Sequence, residues 1–217
     1  LAEMALEMAE QPDVQHTVEH IIAGAQMSIG SDGAGVLLTG DGGQAGTAAA
    51  TSEQVRRADD LQLSCSEGPS VDTSRLVDIW VIDDIERDDR FPVWGPQTAE
   101  LGFGAALSVR LFTPGRTLGS LNLYWTARRA HTALDRELAQ LFGRHASLAL
   151  VAAQQGESMR AAVRSRHLIG QAQGILMERY RVDADRAFEV LRRYSQNKNV
   201  KLRTVAHHVI AHRRLPE

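Results

Sequence analysis

Ala105-Ala106-Leu107-Ser108-Val109, the turn Thr113-Pro114-Gly115-Arg116 and Leu118-Gly119-Ser120-Leu121-Asn122-Leu123-Tyr124 decide the fold of the first half of this chain. The two apolar runs alternate in part, as half-buried strands do, and the Pro-Gly pair between them is a hairpin signal. Upstream, Ala34-Gly35-Val36-Leu37-Leu38 runs into Gly40-Asp41-Gly42-Gly43, and Asp78-Ile79-Trp80-Val81-Ile82 forms another short apolar run. Val14, Val18, Ile21, Ile22 and Ala25 fall at helical spacing and predict an opening helix over about residues 13–29. Together these elements predict an α+β domain, a central antiparallel sheet with flanking helices.

Beyond Pro114 the next proline is Pro216, so the strongest helix breaker is missing from the stretch between them. Thr132 with Asp135 resembles a capping box, with Asp in place of the usual Glu or Gln. From there a seam with alternating three- and four-residue steps runs through Leu138, Leu141, His145, Leu148, Ala152, Gln155, Met159, Ala162, Arg166, Ile169, Gln173 and Leu176. Four of these twelve positions are polar or charged, which is weak occupancy for a coiled coil. Two readings follow: a parallel homodimer helix with a soft, movable seam, or a helix lying on its own domain with the polar stretch in solvent. The helix is expected to break near Tyr180-Arg181-Val182-Asp183, where Asp183 is a good N-cap. A helix over about 184–196 follows, with Ala187, Phe188, Val190, Leu191 and Tyr194 inward. A polar turn, Gln196-Asn197-Lys198-Asn199-Val200-Lys201, leads to a last helix with Leu202, Val205, Ala206, Val209 and Ile210 on one face. Three short helices with compatible apolar faces make a small bundle. The expected organisation is an α+β domain over 1–150, a helical linker over 135–165 and a helical module over 160–217.

The net charge of −3 conceals a division. Residues 1–155 hold 11 Lys and Arg against 21 Asp and Glu, a balance of −10, whereas residues 156–217 hold 13 against 6, a balance of +7. A basic module beside an acidic one points to an anionic partner, most commonly nucleic acid; a merely solvated helical surface is the plainer reading. The apolar runs fall short of the roughly 20 residues that cross a bilayer, and no secretory signal is visible. The single cysteine, Cys65, excludes an intramolecular disulfide framework and a Cys-rich zinc site, so a reducing cytoplasm is the expected compartment.

Catalytic chemistry finds no residue set: there is no Ser-His-Asp arrangement, P-loop or dinucleotide turn, and Gly40–Gly43 sits in a hairpin and not before a helix. The acidic run Asp83-Asp84-Ile85-Glu86-Arg87-Asp88-Asp89 lacks the fixed spacing of a calcium loop and is read as solvated. His16 and His20 share the i, i+4 spacing used for metals, without a third ligand nearby. No cofactor or metal is therefore expected, although an unknown small molecule could occupy a pocket in the first domain. Its lining candidates are Leu61, Leu63, Trp80, Ile82, Phe91, Trp94, Leu107, Val109 and Leu121, for which plain core packing is the alternative.

The segment Ser165-Arg166-His167-Leu168-Ile169-Gly170-Gln171-Ala172-Gln173-Gly174-Ile175-Leu176-Met177 resembles the opening of the ANTAR domain. The likeness continues through Ala184-Asp185-Arg186-Ala187-Phe188-Glu189-Val190-Leu191-Arg192-Arg193 and Asn199-Val200-Lys201-Leu202-Arg203-Thr204-Val205-Ala206, and covers about residues 160–212. It implies a three-helix RNA-binding module that recognises stem-loops in nascent transcripts and so keeps a terminator hairpin from forming. Looped RNA needs cations for phosphates and planar or amide groups for splayed bases. Arg192, Arg193, Gln196, Asn197, Lys198, Lys201 and Arg203 are the candidates, with Arg166 and Gln173 from the first helix. Family members often carry Lys where this chain has Gln173. His207 and His208 would make the last helix more basic below about pH 6.5.

The first half resembles a GAF domain of the actinobacterial type that commonly precedes ANTAR. The residues that carry this are Asp60-Leu61-Gln62-Leu63-Ser64-Cys65-Ser66-Glu67-Gly68-Pro69-Ser70-Val71-Asp72, Asp83-Asp84, Arg90-Phe91-Pro92, Leu101-Gly102-Phe103-Gly104-Ala105 and the run Leu118–Tyr124. The resemblance implies a sheet-and-helix domain that senses a ligand or mediates dimer contacts. Cyclic-nucleotide-binding relatives carry an Asn-Lys-Phe-Asp-Glu set that is missing here. Cys65 is the only option for bilin attachment, and a sulfoxide reductase would need a resolving cysteine as well. The expected function is non-enzymatic: signal-responsive RNA binding in transcription antitermination. The alternative is a basic tail that docks on proteins or on DNA.

Overall fold

The computed structural model describes residues 11, 13–40, 43–71 and 77–216. Asp41 and Gly42 of the hairpin run and Asp72 of the GAF-like run lie outside the described residues. The chain divides into two compact units, Leu1–Gln154 and Gln155–Glu217.

The first unit opens with α1, Val14–Ile29, whose N-cap Asp13 accepts from the His16 backbone N–H and whose end is turned by Gly30 at φ 72°. Strands β1 (Gly33–Thr39) and β2 (Ala45–Ala50) form the Gly-rich hairpin, and α2 (Glu53–Cys65) starts at Ser52, which accepts from the Val55 N–H. Then come β3 (Ile79–Ile82), the short α3 (Trp94–Glu100), β4 (Ala105–Thr113) and β5 (Arg116–Trp125). The strands make one five-stranded sheet in the order β2-β1-β5-β4-β3, and every pairing is antiparallel. Gly119 pairs with Leu38, and a Cβ there would stand 1.9 Å from the Leu37 carbonyl oxygen, so the strand carries glycine where β5 crosses β1.

Alternation along β4 and β5 sorts the two faces. Leu107, Val109, Leu121 and Leu123 point to one side and pack with Val18, Ile21 and Ala25 of α1. Also in that core are Ala139, Phe142, Ala146 and Leu150 of α4, the helix Ala133–Tyr180. The opposite face packs Val55 and Ala58 of α2 with Ile82, Ile85, Phe91, Trp94, Phe103 and Tyr124. The start of α4 is closed by reciprocal bonds, Asp135 N–H to Thr132 Oγ1 (3.1 Å) and Thr132 N–H to Asp135 Oδ2 (2.8 Å). Asp thus serves where Glu or Gln is usual.

In the second unit the end of α4 packs with α5 (Ala184–Asn197) and α6 (Leu202–His212) around Ala172, Leu176, Ala187, Leu191, Val205, Ala206 and Val209. Asp183 caps α5 by accepting from the Arg186 N–H at 2.8 Å. Asp183→Ala is expected to destabilise this unit by about 1 kcal/mol, read by thermal denaturation. Two sequence expectations are corrected here. Phe188, expected inward, is 38% exposed, because Ala187 and Leu191 already hold the inner face of α5. The seam expected to run to Leu176 is interrupted, because Leu176 is in the bundle core and Ile169 packs against it.

Candidate functional site

The α5–α6 connection is built by its own backbone. Lys198 N–H donates to Tyr194 C=O, Val200 N–H to Ser195 C=O and Thr204 N–H to Lys201 C=O. Asn199 takes a left-handed conformation at φ 51°, which Asn tolerates better than most residues. This compact turn leaves Arg192, Arg193, Gln196, Asn197, Lys198, Lys201 and Arg203 exposed. Arg192 and Gln196 are four residues apart on α5, as are Arg193 and Asn197, and such pairs are helix neighbours. Among the described residues none of Arg192, Arg193, Lys198, Lys201 and Arg203 is in an ion pair. The neighbouring Arg186 does pair, with Glu189 at 3.3 Å.

The other two candidates stand apart from this set. Arg166 is exposed on α4. Gln173 is half-buried and its Nε2 donates to the Ala184 carbonyl at 3.1 Å, which ties it to the opposite end of α5. His208 stacks on His212 at 4.1 Å. Partial burial, and then the charges of His212 and Arg214, hold its imidazole below the usual value, so it takes up its proton at lower pH than the sequence alone implies.

In the first unit the structure does not bring the nine pocket candidates to one wall. Leu107, Val109 and Leu121 belong to the core on the α1 and α4 face. Ile82, Phe91 and Trp94 belong to the opposite core, with Leu61 and Trp80 packed against it. Leu63 is half-buried and in neither cluster. Period-two alternation separates residues that share only hydrophobicity.

What occupies the sheet face beneath α2 is polar, and sequence reading missed it. Asp59 of α2 is fully buried; its Oδ1 accepts from Asn122 Nδ2 at 2.9 Å and from the Tyr124 hydroxyl at 2.7 Å. Asn122 Oδ1 accepts from Ser108 and Ser70 hydroxyls, Ser120 donates to Ser70, and Gln62 Oε1 accepts from the Ser70 N–H. Asp59 Oδ2 is buried without a hydrogen-bond partner and faces Gly35, where a Cβ would lie 2.2 Å away. Burial pushes the Asp59 carboxyl up to about 7 against the pull of the Tyr124 and Asn122 bonds. The Tyr124 phenol is raised by its own burial and by the Asp59 charge. Its local parts were legible, since Ser120, Asn122 and Tyr124 alternate with Leu121 and Leu123 and Asp59 and Gln62 are three apart on one helix face, but not their meeting.

Several other side chains singled out by sequence are engaged locally. Asp83 accepts from His131, Arg128 bridges Asp84 and Glu86, and Arg90 pairs with Asp88. His16 Nδ1 lies 2.8 Å from the capping Asp13. Half-buried Cys65 donates to the Leu61 carbonyl, as a small residue packed against the core does.

Among the described residues no helix is long and apolar enough to cross a membrane. No curated protein is significantly similar to the chain in sequence. Solved structures match its architecture. They include the cyanobacteriochrome TePixJ GAF domain, at 19% identity and TM-score 0.58 over 68% of this chain and 94% of that one. Free methionine-R-sulfoxide reductase from Neisseria meningitidis matches at 14% identity and TM-score 0.56, over 71% and 87%. The photosensory core module of the Stigmatella aurantiaca phytochrome matches at 13% and TM-score 0.61, over 89% of this chain and 43% of that one. Identities this low carry the fold alone. The GAF-domain family model matches residues 11–151 and the ANTAR-domain model residues 157–210. The five-stranded antiparallel sheet with its flanking helices and the cationic three-helix bundle agree with those two assignments, and the chain belongs to the GAF-domain family, with an ANTAR domain as its C-terminal regulatory module.

Proposed function

We propose that this chain is a signal-responsive, non-enzymatic regulator of transcription antitermination. Its ANTAR unit grips RNA stem-loops with the side chains that surround the α5–α6 turn. The observation that carries this reading is the row of exposed Arg, Lys and amide groups from Arg192 to Arg203, whose cations are unpaired among the described residues. Guanidinium groups match phosphates and stack on unpaired bases, and the amides of Gln196 and Asn197 can read base edges. Arg166 adds a cation from α4. Gln173, whose Nε2 is tied to the Ala184 carbonyl, has its amide oxygen left to offer the RNA.

Electrophoretic mobility shift with a paired-hairpin transcript against a linear control tests the reading. The wild type is expected to retard the hairpins. Arg192→Ala/Arg193→Ala is expected to weaken binding at least tenfold and to lower the salt slope by about 1 for each phosphate that is no longer neutralised. Competition by duplex DNA, or no shift at all, would favour DNA or an acidic protein surface as the partner.

The GAF unit acts as the sensor in this reading, for a small molecule whose identity is open and with no metal or prosthetic group required. The polar interior around Asp59 supports a chemical input, since a filled apolar core would offer a ligand nothing to bond. A homodimer in the cytoplasm joins the two halves of the account. On α4, Leu148 in the first unit and Met159 and Val163 in the second are 67%, 71% and 61% exposed, an expensive display for a lone helix. A signal that changes how two such helices pair, around the polar positions Gln155 and Arg166, would reset the spacing of two ANTAR units on tandem hairpins. Met159→Glu is expected to shift the chain from dimer to monomer in sedimentation velocity.

A further inference from the structure

The end of the bundle away from the α5–α6 turn carries a second set of features that the RNA reading above does not use. A groove of about 600 Å³ runs between α4 and α6. Ile175 and Ile210 line it with apolar surface, Gly174 leaves its wall open, and Glu178, Arg179 and Arg213 bring charge to it. Apart from the neighbouring backbone of its own helix, no atom lies within 4 Å of where a Cβ of Gly174 would stand. Arg179 Nη1 donates to the Arg213 carbonyl at 3.1 Å, which fastens the end of α4 to the end of α6.

Among the described residues, two of the bundle's three left-handed non-glycine residues lie at this end, the third being Asn199 of the α5–α6 turn. Arg213, the C-cap of α6, sits at φ 58°, and Arg181, just past the end of α4, sits at φ 53°. Both are left-handed positions where glycine is the unstrained residue and where helices commonly end on it. Here each is an arginine. Glycine would close either helix with less strain, so the guanidinium is what these positions supply. Backbone strain held at a surface is a marker of function.

We propose that this groove is a second RNA-binding site, which takes one unpaired nucleotide of the bound transcript. Resting on the RNA-binding reading, it adds a place where a base is taken in. The base lies over Ile175 and Ile210 against the bare backbone of Gly174, and Glu178 can accept from its exocyclic amine. The phosphate meets Arg213 and Arg179. An apolar floor with a cationic rim, in a unit of net charge +7, fits a nucleotide, whereas an acidic protein surface would have no use for the slot beside Gly174.

Two substitutions remove the site without weakening the fold. Arg213→Gly relieves a left-handed residue, and Gly174→Leu fills open space while raising helix propensity. Each is expected to melt at or above the wild-type temperature. The probe is an RNA of two tandem hairpins with randomised loops containing 4-thiouridine, bound to the full chain. Both variants are expected to bind at least tenfold more weakly, and Arg213→Gly to lower the salt slope by about 1. Irradiation of the wild-type complex is expected to crosslink RNA to the peptide holding Ile175 or that holding Ile210. Wild-type affinity in either variant, or crosslinks confined to residues 192–203, overturns the groove while leaving the α5–α6 face intact. Failure of the wild type to bind the RNA overturns the RNA reading itself.

Discussion

Asp59→Asn is expected to remove most of a stability loss that the wild type suffers between about pH 4 and pH 7. The Asp59 carboxyl is fully buried and its pKa is raised from 3.8 to about 7, chiefly by burial. In that window the folded state holds a proton that the unfolded chain has released, so stability falls as pH rises and levels off above pH 7. The difference corresponds to a loss on the order of 4 kcal/mol. Asn keeps the oxygen that accepts from Asn122 and Tyr124 and puts an amide where Oδ2 has no partner. An unsatisfied buried amide costs about 1–3 kcal/mol, so the variant should still be the more stable protein at pH 8, while at pH 4 it should be equal or weaker. Urea denaturation of both proteins across pH 4–8 reads the effect. Parallel profiles would mean that Asp59 is ionised in the folded protein throughout.

Leu191→Ala should unfold the C-terminal unit and leave the sheet domain standing. Leu191 is fully buried in a core that it shares with Leu176, Ala187, Val205 and Val209. Truncating a buried Leu costs about 2–5 kcal/mol. A bundle of roughly sixty residues rarely has more than about 3–5 kcal/mol to lose. The expected outcome is a thermal melt in which one transition shifts strongly downward and the other stays, together with loss of hairpin binding at 37 °C. A single transition that moves as a whole would show that the two units fold as one.

These effects fall on residues of unequal legibility. Helix ends were plain in the sequence because caps are local: Asp183 begins α5, and Thr132 with Asp135 begins α4. The sheet was plain because its alternation is local too. Facing relations were not. Leu107 and Leu121 read as partners of Ile82 and Trp94 until strand register put them on opposite sides of the sheet. The Asp59 cluster depends on Ser108 lying opposite Asn122 and on α2 crossing above them, a long-range arrangement that no window of sequence displays. Among the RNA candidates, charge located Arg192 to Arg203 correctly as surface, but periodicity could not foresee that Gln173 would be held by the Ala184 carbonyl. Left-handed Arg181 and Arg213 were invisible for a similar reason, since arginine gives no hint of a positive φ.

The central claim is that exposed cations of the ANTAR unit hold RNA by its phosphates, and salt dependence tests it most directly. Affinity for a tandem-hairpin transcript should be measured from 50 to 300 mM monovalent salt. With several phosphates neutralised, log K is expected to fall linearly against log salt with a slope of about −0.7 to −0.9 per phosphate, and steeper than about −3 in total. A slope near zero would contradict the account, because a complex that releases no counterions is not held by Arg192, Arg193, Lys198, Lys201 and Arg203.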